Sequence, residues 1–224
     1  MPEFLLYLLL IAAFIFSIFT SVNVKSTFRK YNRMPSSRGV SAATIARQIL
    51  DSNGLYNLQV TRVSGELTDH YDPRTNTVAL SAPVYDSISV GAIGVAAHEV
   101  GHAIQYAKNY TPIKIRMAIL PVAQFGSSAW ILFFILGIVF NISLLRGVGI
   151  GLFAAIVLFQ LITLPVEFNA SRRALATIKD QGILFAEEYK GAKKTLTAAA
   201  MTYVASLAVA LLQLLRLIAS SRRD

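Results

Sequence analysis

Four stretches of the chain are apolar over lengths that can cross a bilayer as helices, a crossing that takes about 20 residues. The first runs from Phe4 to Val24 without an interior charge; the second lies between Arg116 and Arg146, the third between Arg146 and Glu167, and the fourth between Lys194 and Arg216. The pattern predicts transmembrane segments over 1–24, 117–145, 147–166 and 195–219, separated by polar segments over 25–112 and 167–194. The second and third spans form a hairpin whose short connection contains Asn141, Arg146 and several glycines. The first span reads as a retained anchor. Glu3 stands where a signal peptide has basic residues, the apolar run exceeds a usual h-region, and no small-x-small site precedes Lys25.

Within 25–112 the periodicity changes. Ser41 to Asn53 is an amphipathic helix with Ile45, Ile49 and Leu50 on one side, and Gly54 supplies its stop. Leu58, Val60 and Val63 are strand-like. Asp72-Pro73-Arg74-Thr75-Asn76 is a turn, and Thr77 to Ser81 is a second strand, so a small antiparallel sheet is expected. Ser87 or Ser89 caps a further helix from about Ile88 to Ala107. The strand over Thr77 to Ser81 is either a covered strand or a sheet edge that takes up an extended peptide.

Composition strengthens the membrane reading: 54% of the 224 residues are hydrophobic and 15% charged. The absence of cysteine excludes disulfides, thiolate metal sites and a cysteine nucleophile. The net charge of +9 reflects loops beside spans, because no nucleic-acid motif accompanies it and the basic residues flank apolar runs. Of the 21 Lys and Arg, eleven lie in 25–116 and six in 172–194; the remaining four are Arg146, Arg216, Arg222 and Arg223. The positive-inside rule then puts both polar segments on the cytoplasmic face and the amino terminus outside, with Arg222 and Arg223 running against it.

The chemistry is concentrated in His98-Glu99-Val100-Gly101-His102, an H-E-x-x-H motif. Residues four apart share a helix face, so both imidazoles can converge on one ion, and Glu99 can reach water beside it. Two of the chain's three histidines occupy this pattern in apolar surroundings, where burial without a shared partner is costly. Gln105 and Lys108 stand where a metzincin has glycine and histidine, which excludes that class. A third ligand must come from elsewhere, the candidates being Asp69, His70, Asp72, Asp180, Glu187, Glu188 and Glu167. Glu167 stands out, because a carboxylate at the end of an apolar span is expensive unless paired or bound to metal. Pro165 either ends or kinks the third span just before it.

The blocks Leu67-Thr68-Asp69-His70-Tyr71-Asp72-Pro73-Arg74, His98 to Gln105, and Glu167-Phe168-Asn169-Ala170-Ser171-Arg172-Arg173-Ala174 resemble the YugP-type neutral zinc metallopeptidases over nearly the whole chain. The resemblance implies a bacterial membrane protease with one zinc ion and Glu167 as third ligand. More distantly, the layout is similar to the heat-shock membrane protease and CAAX prenyl protease group, which has aspartate where this chain has Ser171. Asn169, Ser171 or Asp69 could then take over the support of a ligand histidine.

The expected fold is a mainly α membrane protein, four transmembrane helices with a small α+β zincin-like domain carrying the H-E-x-x-H helix at the cytoplasmic face. The expected activity is zinc-dependent endopeptidase, with His98, His102 and Glu167 as metal ligands and Glu99 as general base. His70, Tyr71, Tyr106, Arg172 and Arg173 are candidates for contact with the developing oxyanion. The expected partners are a membrane-associated polypeptide substrate and the lipid bilayer; the sequence does not fix a homo-oligomer. Two rivals remain: an intramembrane protease of the site-two type, which wants an aspartate within a span, and a non-catalytic scaffold with a structural zinc.

Overall fold

The computed structural model describes residues 3–221; Met1, Pro2 and residues 222–224, including Arg222 and Arg223 of the charge count, lie outside the described residues. The elements in order are α1 Glu3–Tyr31, α2 Ala42–Ser52, β1 Gln59–Val63, β2 His70–Asp72, β3 Thr77–Ser81, α3 Ala82–Tyr85, α4 Val90–Ala107, α5 Thr111–Val139, α6 Ser143–Asp180 and α7 Ala186–Ser221. Four of these helices, α1, α5, α6 and α7, are long and apolar enough to cross a membrane. The chain divides into two compact units, one of residues 1–20, 111–165 and 201–224, the other of residues 21–110 and 166–200.

The first unit is helical. Its small core gathers Phe153, Val157, Leu207, Ala210 and Leu217, with the Trp130 ring 4.7 Å from that of Phe153. Many large apolar side chains stay exposed, among them Phe19, Phe125, Phe140 and Leu144, as suits helices whose solvent is lipid. Close approach of α5 and α6 depends on Gly149, where a Cβ would lie 2.8 Å from the Trp130 carbonyl oxygen and the Phe134 nitrogen. The break between α5 and α6 falls at Phe140–Ile142, with Asn141 in the left-handed region at φ 53°. It therefore precedes Arg146, which is buried inside α6 and forms no part of the connection. Helix α6 also runs on through Pro165, so that proline does not end it.

The second unit holds the sheet. Ser41 caps α2 by accepting the Thr44 N–H at 3.3 Å, and Ile45, Ile49 and Leu50 are buried along one face. The chain leaves α2 through Asn53 and Gly54, the latter at φ +73°. The sheet order is β1-β3-β2, with β1 parallel to β3 and β2 antiparallel to it. The sheet expected to be antiparallel is therefore mixed, and β3, for which the sequence left a covered strand and an edge both open, is its central strand. Thr77 to Ala79 are paired on both sides, so this part of β3 offers no free edge to a peptide. Ser89, not Ser87, caps α4 by accepting the Ala92 N–H, and its hydroxyl donates to Asn32 Oδ1 at 2.6 Å. Around α4 the core closes with Ile45, Ile49, Leu80, Ile93, Val100, Ile178 and Ile183, drawn from α2, β3, α4, α6 and the turn before α7.

Replacing the fully buried Ile49 by alanine is expected to cost about 2–5 kcal/mol. Tyr56→Ala, at a residue 71% exposed, should stay within about 0.5 kcal/mol. Thermal unfolding of the two variants in detergent checks the contrast.

Candidate metal centre

Helix α4 is built of small and apolar residues on nearly every side, so it can be buried and brought close to a neighbour. The neighbour at the motif is α6. A Cβ on Gly101 would lie 2.7 Å from the Ala170 carbonyl oxygen and 3.2 Å from its carbon, contacts with backbone that cannot move aside. Glycine in the fourth position of H-E-x-x-H thus sets the separation of the two helices. It brings Glu167, three residues before Ala170, within reach of the histidines.

The imidazoles of His98 and His102 meet edge to face with centroids 4.7 Å apart. His98 Nε2 lies 3.2 Å from His102 Nε2 and 3.2 Å from Glu167 Oε2, and His102 Nε2 lies 3.5 Å from the same oxygen. Metal–ligand bonds of about 2.0–2.1 Å in a tetrahedron put neighbouring donor atoms about 3.3 Å apart. The three separations match that edge length. Two imidazole nitrogens and one carboxylate oxygen are a donor set that zinc accepts, and three protein donors leave a fourth position open. No other group of three or more His, Cys, Asp or Glu side chains converges in this way among the described residues.

The outer nitrogens are also engaged. His98 Nδ1 lies 3.1 Å from Ser171 Oγ, and His102 Nδ1 lies 3.0 Å from Gln105 Oε1. Gln105, wholly buried, donates through Nε2 to the Val166 carbonyl at 2.8 Å and to Asn169 Oδ1 at 3.0 Å. Arg173 Nε donates to the same Asn169 oxygen at 2.7 Å. Burial pushes the Glu99 carboxyl above the usual carboxylate range; the two imidazoles oppose this, and the charges of Glu167 and Asp69 add to it. Burial pulls His102 down, but the hydrogen bond and charge of Glu167 outweigh it and leave the imidazole above its ordinary value. The cluster is therefore attractive to positive charge.

Other residues singled out in the sequence fall outside this cluster. Asp69 accepts the Ser81 N–H at 2.7 Å and the Ser81 hydroxyl at 2.9 Å, which fastens the end of β3. His70 is exposed on β2, its Nδ1 2.8 Å from the Thr68 carbonyl. Tyr106 is 40% exposed, with its ring 6.1 Å from that of Tyr71. Burial and the nearby Tyr106 push the Tyr71 phenol up to about 12, so it stays protonated at neutral pH. Arg172 is exposed. Among the rejected carboxylates, Asp72 pairs with Arg74, Glu187 with Lys190, and Glu188 accepts the Ser37 and Phe185 amides. Gln105 escaped the sequence reading as a partner of the site. Its only local signal is a polar residue three places after a ligand-type histidine in an otherwise apolar helix.

A family model described as "Putative neutral zinc metallopeptidase" matches residues 6–222. The "Putative membrane protease YugP" of Bacillus subtilis (strain 168) is 49% identical over 210 residues, covering 94% of this chain and 93% of that protein. No solved structure matches the chain.

Gly101→Val should force α4 and α6 apart at the cluster. The expected result is loss of bound zinc by elemental analysis together with a lower unfolding temperature, whereas Gly151→Ala, at a position with open space around it, should change neither.

Proposed function

The chain belongs to this neutral zinc metallopeptidase family, and on that premise we propose that it is a membrane-embedded endopeptidase in which His98, His102 and Glu167 hold one zinc ion and Glu99 is the general base. The observation that carries the reading is the convergence of three donor atoms at separations of 3.2–3.5 Å, which suit a tetrahedral ion.

Bound zinc would supply a Lewis acid that polarises a peptide carbonyl and lowers the pKa of water to about 7. The chain's own groups do the rest. Glu99, adjacent to one ligand, takes the proton from the attacking water and returns it to the leaving amine. Its burial, which raises the carboxyl's affinity for a proton, suits a group that must gain and lose one in each cycle. His98 is the less buried of the two imidazoles, its side chain 15% exposed against 9% for His102, so substrate approaches from the His98 side.

The distribution of Lys and Arg supports a cytoplasmic position for residues 25–112, and with it a substrate presented on that side of the membrane. A site-two-type intramembrane protease fits less well, because none of the apolar runs contains an aspartate. A closed structural zinc fits less well than an open one, because the group holds three protein donors.

Glu99→Gln should retain one zinc per chain while peptide hydrolysis falls at least about 10²-fold; proteolysis at the wild-type rate would overturn the general-base assignment. His98→Ala and Glu167→Ala should each lose the metal, read by elemental analysis of purified protein. Because the chain has no cysteine, Tyr56→Cys supplies a single exposed thiol. An impermeant maleimide should label it in inverted vesicles and not in intact cells.

A further inference from the structure

We propose that Gln105 is the positioning residue of the metal centre: its carbonyl holds His102 with the proton on Nδ1, and its amide hydrogens pin the turn of α6 that delivers Glu167. The assignment rests on the metal-centre reading above and adds to it the means by which two helices are kept in one geometry.

The direction of every bond in the chain of contacts follows from groups whose roles are not interchangeable. A guanidinium can only donate, so the atom of Asn169 that Arg173 Nε meets at 2.7 Å is the amide oxygen. The Val166 carbonyl can only accept. The Gln105 atom within 3.0 Å of both of these oxygens is therefore its nitrogen, and both of its hydrogens are used. An amide whose orientation is ordinarily ambiguous is here determined by its surroundings. The remaining Gln105 oxygen is an acceptor 3.0 Å from His102 Nδ1, which must be the donor. With its Nδ1 proton held there, the neutral His102 ring has its lone pair on Nε2, the nitrogen on the side of Glu167 Oε2 and His98 Nε2, which is the tautomer that a metal requires.

The same amide spans the two helices. Gln105 lies on α4 three residues past His102, whereas Val166 and Asn169 flank Glu167 on α6. Two bonds, one on each side of the carboxylate, fix the rotation of α6 about its axis at that turn. A side chain 0% exposed that satisfies its oxygen and both hydrogens is a rigid brace, since any rotation would leave a buried polar atom unpaired. Glutamine does this without adding charge. Glu99 and Glu167 already supply two carboxylates, and a third behind His102 would have no amide hydrogens for Val166 and Asn169.

Gln105→Met tests the assignment, because it keeps the volume and removes every hydrogen bond. Zinc affinity is measured on the purified full chain by competition with a chromophoric chelator, beside the absorption spectrum of the cobalt(II)-loaded protein and the unfolding midpoint of the metal-free protein. We expect zinc binding weakened about 10- to 100-fold and shifted cobalt bands. A lowered midpoint with wild-type zinc affinity and an unchanged cobalt spectrum would mean that Gln105 only packs the helices, and would overturn the assignment. Should Gln105→Met not fold, Asn169→Ala removes one anchor of the amide and is expected to weaken zinc about 10-fold; unchanged affinity there likewise overturns it. His102→Ala is the control: if it keeps the wild-type affinity, the metal centre fails, and the Gln105 assignment with it.

Discussion

The approach of α4 to α6 at Gly101 is the contact on which the site depends. Glycine there lets the backbone of one helix rest against the Ala170 carbonyl of the other, closer than any side chain would permit. Along α6 the buried positions Val166, Ala170 and Ala174 recur every four residues and form the seam. Glu167 and Ser171 stand one residue beyond Val166 and Ala170 on that seam, which is why one meets both imidazoles and the other meets His98 Nδ1. Packing and the convergence of the donor groups are thus a single constraint: the residues that let the helices touch also decide which side chains face each other.

A lipid surrounding would account for the small core of the first unit. The helices long enough to cross a membrane leave large apolar side chains exposed, and the first unit has only a small buried cluster. The second unit carries a fuller core, with Ile45, Ile49, Leu80, Ile93 and Ile178 closed around α4. A rigid setting of that kind suits a helix that must hold two imidazoles and a carboxyl in fixed directions.

What was legible in the sequence follows the range of the interactions. The histidine pair was legible because its geometry is local, four residues on one helix. Glu167 was legible as a cost, a carboxylate ending an apolar run. The four apolar helices were legible from length and composition, and α2 from its spacing and cap. Strand β2 was not: it is three residues long, and it is a strand only because β3 lies beside it. Nor could local pattern reveal that β1 pairs in parallel with β3, since the partners of Gln59 to Val63 lie eighteen residues away in register. Gln105 was hidden for the same reason, its partners Val166 and Asn169 being 61 and 64 residues distant. His70 and Arg172 drew attention by residue type and neighbourhood, and both are exposed.

Every atom of the proposed ligand set, and every hydrogen bond behind it, comes from α4 and α6. The three strands contribute none of them. Residues 54–69 therefore hold none of the three donor groups, and the geometry around those groups is set by two helices alone.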